Sequence, residues 1–113
     1  MSKARLPRLP LRAEYHDGQL VAVEIGPRQE FTLTVRLDPV WNEGDGSARR
    51  IRFSKIKNFP DAAAFFARLQ SPRQPDAALD EILAIVRPGK RSVGIELASL
   101  GYLELDGAEV LEL

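Results

Sequence analysis

The chain reads as an α+β domain: a mostly antiparallel sheet in the order β-β-β-α-α-β-β-β, with two helices packed on one face. Three observations carry this. Residues 31–37, Phe-Thr-Leu-Thr-Val-Arg-Leu, alternate apolar and polar side chains strictly, the period of a half-buried strand. The same period recurs toward both ends of the chain. After residue 57, apolar residues fall at i, i+3, i+4 and i+7, the spacing of a helix face. Strands gathered at both ends, with helices between, argue against alternating βαβ units.

Residues 1–13 read as a flexible basic arm ahead of a single domain over 14–113. Pro7 and Pro10 favour extension, and Lys3, Arg5, Arg8 and Arg12 are spaced along it. The first strand spans 20–25, with Val21, Val23 and Ile25 on one face. Gly26-Pro27-Arg28-Gln29 turns it into the 31–37 strand. Trp41 keeps the parity of Phe31, so this strand is expected to run on past Pro39. After the turn at 42–47, residues 48–54 form a third strand, with Ile51 and Phe53 inward and Arg50, Arg52 and Ser54 outward.

Pro60 suits the first turn of a helix and Asp61 complements its positive end. Ala62, Phe65, Phe66 and Leu69 form its apolar stripe, and the segment 71–74 breaks it. A second helix is expected from Pro75-Asp76 to Pro88-Gly89, burying Leu79, Ile82, Leu83 and Val86. Val93, Ile95 and Leu97 then alternate as a strand. Asp106-Gly107 between residues 102–105 and 108–113 predicts a type I′ hairpin, which would set Glu104 opposite Glu109. Like charges in that position are destabilising and call for a cation nearby, such as Arg50 or Arg52.

Composition sets bounds on function. With 113 residues, 44% hydrophobic and 28% charged, the chain has the make-up of one globular domain. It has no cysteine, hence no disulfide, thiolate nucleophile or Cys-based metal site, which fits a reducing cytoplasm. No apolar run approaches the roughly 18 residues of a membrane span. The prolines of the arm interrupt the apolar segment that a secretion signal needs. Net charge is zero, yet residues 1–57 carry 11 basic and 7 acidic side chains and residues 58–113 carry 5 and 9. Such a split suits a bipolar surface that meets a partner or a second copy.

Candidate chemistry is sparse. His16, the sole histidine, stands beside Asp17, but no second histidine or nucleophile accompanies it, and Tyr15-His16-Asp17-Gly18 reads as the turn that opens the first hairpin. The oxygen-rich 42–46 segment lacks the alternating ligand spacing and closing glutamate of a calcium loop. Pro88-Gly89-Lys90-Arg91-Ser92 lacks the upstream glycine of a phosphate loop, since position 84 is Ala. No set of acid, base, nucleophile or metal ligands converges, so no enzyme and no cofactor is expected. Arg49, Arg50, Arg52, Lys55 and Lys57 form the densest basic cluster, with Phe53 and Phe59 interleaved. By parity, however, Phe53 faces inward, unlike the aromatics of a base-stacking platform.

The segment Tyr15-His16-Asp17-Gly18-Gln19-Leu20-Val21-Ala22-Val23-Glu24-Ile25, followed by the alternating strand, resembles the opening of several small bacterial families of unknown function. These include immunity-type proteins of polymorphic toxin systems. The resemblance spans residues 15–37 and implies a protein that binds another protein. The sequence thus predicts a cytoplasmic binding protein, partnered by another protein or by itself as a homodimer. Its expected contacts are Arg50, Arg52, Lys55, Lys57, Glu104 and Glu109. Nucleic-acid binding through the 49–57 cluster and the arm is the alternative.

Overall fold

The computed structural model describes residues 9–69 and 77–113, and within them seven strands and one α-helix. The strands are β1 (Gly18–Gly26), β2 (Glu30–Arg36), β3 (Ala48–Ser54), β4 (Asp80–Gly89), β5 (Ser92–Leu97), β6 (Gly101–Asp106) and β7 (Glu109–Glu112); the helix is α1 (Phe59–Ala67). They make one sheet in the order β6-β5-β4-β1-β2-β3-β7, with every neighbouring pair antiparallel. The antiparallel sheet of the sequence reading is therefore present. The second helix is not, and the order β-β-β-α-α-β-β-β is replaced by three strands, one helix and four strands.

The sheet cannot be flat. β6 and β7 stand at its opposite ends, yet only Gly107 and Ala108 join them. Six strand spacings of about 4.8 Å would set flat edges roughly 29 Å apart. The link from Asp106 to Glu109 spans at most about 11 Å. The sheet must roll round until its ends meet. Because directions alternate across it, its first and seventh strands run the same way. Residues 101–112 are thus one strand bent at 107–108, pairing first with β5 and then with β3. β1 makes a similar passage. Gln19 and Leu20 pair with both β4 and β2; beyond a bulge at Val21 the strand pairs with β2 alone. Strands that change partners at a bend or bulge are how two sheet halves pack across one another.

Asp106-Gly107 is therefore no hairpin turn. A type I′ turn needs positive φ at both central residues, and here only Gly107 has it, at 74°. Lys57 N–H donates to the Asp106 carbonyl (2.8 Å) and Gly107 N–H to the Arg91 carbonyl (2.6 Å), so the bend is held from both sides. A Cβ at position 107 would press on the Lys57 side chain at 3.2 Å, in a backbone region that already favours glycine.

The expected second helix is β4, and a bulge explains the misreading. Ile82 lies opposite Leu97 and Ala84 opposite Glu96, so Leu83 is an extra residue. Past it, parity flips, and Ile85 joins Ile82 in the core. Two inward residues three apart imitate a helix stripe. Leu79 and Leu83 are only half-buried, while Ile82 and Val86 are buried as expected. The segment 70–76, with the expected helix break and restart, lies outside the described residues.

The helix α1 forms where Pro60 and Asp61 open it and buries Ala62, Phe65 and Phe66. Phe66 meets Phe31 edge-on (4.7 Å), and Phe31 stacks on Phe53 (5.0 Å), which ties the helix to β2 and β3. Asn58, at the N-cap, makes no capping bond. Its side chain instead donates to the Glu104 carbonyl (2.8 Å) and accepts from Asp106 N–H (2.7 Å), standing in for a strand along the β6 edge. The strand expected to continue to Trp41 stops at Arg36, and Pro39–Trp41 form a 3-10 turn that leaves Trp41 exposed.

Of the expected arm, residues 1–8 lie outside the described residues; residues 9–13 are seated on the domain. Leu9 is buried, its N–H bonded to the Ile85 carbonyl (3.2 Å), and Leu11 and Ala13 pack against the core.

Phe66→Ala should lower unfolding free energy by about 3–5 kcal/mol, since it empties a buried aromatic site. Asn58→Ala should lower it by about 1–3 kcal/mol by leaving β6 main-chain groups without their partners. Urea denaturation measures both.

Candidate functional site

The structure separates the basic cluster rather than assembling it. Alternation along β3 puts Arg50 and Arg52 on the outer face, and Arg50 pairs with Glu24 of β1 (3.7 Å). Arg49 points the other way, at the end of the strand, and is held by Asp45 (2.8 Å). Lys55 pairs with Glu109 (2.9 Å), and the Lys57 side chain lies over Gly107. Phe53 is fully buried. Glu104 accepts from the Tyr102 hydroxyl (3.2 Å) and lies on β6, away from Glu109 on β7, so the expected clash of like charges does not occur.

Two other side-chain groups converge where the sequence reading saw none. His16 and Asp17 approach each other (3.5 Å), Trp41 Nε1–H donates to the Asp17 carboxylate (3.0 Å), and His16 sits edge-on to the indole (5.1 Å). The carbonyl of the bulged Leu83 lies 2.7 Å from His16 Nδ1, which therefore carries the donating hydrogen. These contacts fasten the turn before β1 to both the bulge and the 3-10 turn. Close by, a cleft of about 450 Å³ is lined by Arg12, Glu14, Trp41, Asn42, Asp45 and Arg49, among others.

The second group centres on Glu112. It lies opposite Ile51 and shares the inward face of that residue. Its carboxylate accepts from Arg12 N–H (2.5 Å), Ala13 N–H (3.3 Å) and the Tyr15 hydroxyl (2.9 Å). An inward carboxylate is costly to bury unless donors surround it. Here the donors come from the N-terminal segment, which explains why residues 12–15 stay down. Burial, then the hydrogen bond and the charge of Glu112, push the Tyr15 phenol well up from 10.0. The Tyr102 phenol is pushed up to about 12 by burial first and by Glu104 and Glu96 next.

The feature with the clearest capacity to bind runs along β7. A groove of about 750 Å³ is lined by residues 107–111 and by Ser54, Arg87, Lys90 and Arg91. Leu113 N–H bonds to the Arg50 carbonyl (2.8 Å), and alternation then directs the main-chain groups of Leu111 and Glu109 to β3. Those of Val110 and Glu112 point the other way, along an edge that no strand among the described residues pairs. Among the described residues, no carboxylate lies within ion-pair distance of Arg87, Lys90 or Arg91. Leu111, next to them, is exposed. Sequence reading passed over these cations because it treated their segment as a helix end and a failed phosphate loop.

Among the described residues, no group of three or more acidic or histidine side chains could hold a metal ion, and no helix is long and apolar enough to cross a membrane. A scan of family models, a search of curated proteins and a search of solved structures each find no match.

Glu112→Gln should speed hydrogen exchange at the Arg12 and Ala13 amides and cost about 1–3 kcal/mol, because an amide turns donors toward donors. Both tyrosines hold their protons more tightly in the folded chain than in the unfolded one. Their contribution is therefore complete below about pH 10 and is lost as pH rises through the folded values. The urea midpoint should fall above about pH 10, and Tyr102→Phe should make that fall shallower.

Proposed function

We propose that this protein is a binding module that takes hold of another polypeptide in the groove along β7. One observation carries the reading: a strand edge that no described residue pairs lies beside a groove large enough for a peptide backbone. Unpaired edges are templates for another chain, and proteins that do not use them usually cover or charge them. The opposite edge of this sheet is treated in that way, with Asn58 and Lys57 occupying the main-chain groups of Glu104 and Asp106. Among the described residues, β7 has no such cover along Val110. This agrees with a protein partner rather than nucleic acid, since no aromatic side chain lines the groove to stack a base.

Selection of short peptides from a random library, followed by mapping of backbone amide shifts, tests the reading. Selected peptides should shift the amides of Val110, Leu111, Lys90 and Arg91 most. Failure to enrich any peptide, or shifts centred away from β7, would overturn it.

A further inference from the structure

We infer that the segment received by β7 is acidic and extended, joining the sheet as an added strand whose carboxylates meet Arg87, Lys90 and Arg91. The inference rests on the reading of β7 as a polypeptide-binding edge and specifies its partner. Charge complementarity carries it. The groove has three cations and one carboxylate, and that carboxylate, Glu109, is already paired with Lys55. Arg87 donates to the Lys90 carbonyl (3.0 Å), which braces the turn joining β4 to β5. Lys90 and Arg91 are exposed on that turn, and no carboxylate among the described residues forms an ion pair with them. Cations gathered without counter-charge beside an open edge repel one another and are relieved by an anionic ligand.

The main chain supplies the second half of the argument. Val110 and Glu112 offer N–H and C=O groups at the alternate spacing that an extended backbone matches. An added strand would satisfy both, and its own alternation would bring every second side chain to the cationic wall. Nucleic acid would satisfy the cations and leave the edge unpaired. A second copy of the chain would bring Glu109, already neutralised, and Glu112, already enclosed by Arg12, Ala13 and Tyr15. The acidic peptide is the occupant that uses both features.

The test compares four probes by fluorescence anisotropy: an alternating Glu–Val peptide, an alternating Lys–Val peptide, the Glu–Val peptide N-methylated on its edge-facing amides, and a thymidine oligonucleotide. The Glu–Val peptide should bind, and bind less tightly as salt rises. Lys90→Glu with Arg91→Glu, both on an exposed turn, should weaken it about tenfold or more. The N-methylated peptide should not compete. Equal binding of the Lys–Val peptide, undiminished binding after N-methylation, or preference for the oligonucleotide would each overturn the inference. So would a stable dimer, seen by light scattering, that the Glu–Val peptide cannot dissociate. If library peptides map to β7 but are not acidic, the binding reading stands and this inference falls; if none maps there, both fall.

Discussion

Closure of the sheet is the constraint on which the rest of the molecule depends. One continuous segment, residues 101–112, must serve β5 with its first half and β3 with its second. It can do so only by bending at Gly107, where φ is 74° and there is no room for a side chain without displacing Lys57. Around this bend the neighbouring parts take their places. Lys57 and Arg91 hold its two sides, and Asn58 gives up capping α1 to clamp β6. The groove is a product of the same geometry. Once β7 has turned away from β5, its second side meets no strand among the described residues, and the turn carrying Lys90 and Arg91 stands across from it.

Parts of this architecture were legible in the residues and parts were not, for reasons that can be named. β2, β3 and β5 keep one uninterrupted parity, so alternation located them and their buried members Phe31, Leu33, Ile51, Phe53, Val93 and Ile95. The helix α1 announced itself through Pro60, Asp61 and two adjacent phenylalanines. β4 was hidden because the bulge at Leu83 spaces Ile82 and Ile85 by three, and a bulge is a property of pairing, not of the strand's own residues. The same effect in β1 turned Leu20 inward where Val21 was expected. Asp106-Gly107 misled differently. A glycine that permits positive φ permits a reversal or a bend, and the position of β3 decides between them.

The candidate site was less legible still. Parity correctly sent Arg50 and Arg52 outward, but a run of cations in sequence became four separate environments in space. Glu112 gave no local sign of facing inward, because its donors are 97 to 100 residues away in the chain. Arg87, Lys90 and Arg91 acquire meaning only when β7 is known to lie opposite them, which requires the whole ring. A short-range pattern cannot report a long-range juxtaposition.

The late position of β7 also has a temporal consequence. A ribosome delivers β1, β2 and β3 first, and these three can pair with one another as they appear. The outer side of β3 then waits for Glu109–Glu112, the latest in sequence of the seven described strands. Glu112, which holds down residues 12–15, belongs to that same strand. The growing chain therefore lacks the cover of the β3 edge and the anchor of residues 12–15 until Glu109–Glu112 have been made. Both are secured by the same short stretch, so pairing of β7 with β3 and docking of residues 12–15 are coupled events that wait on the other six strands.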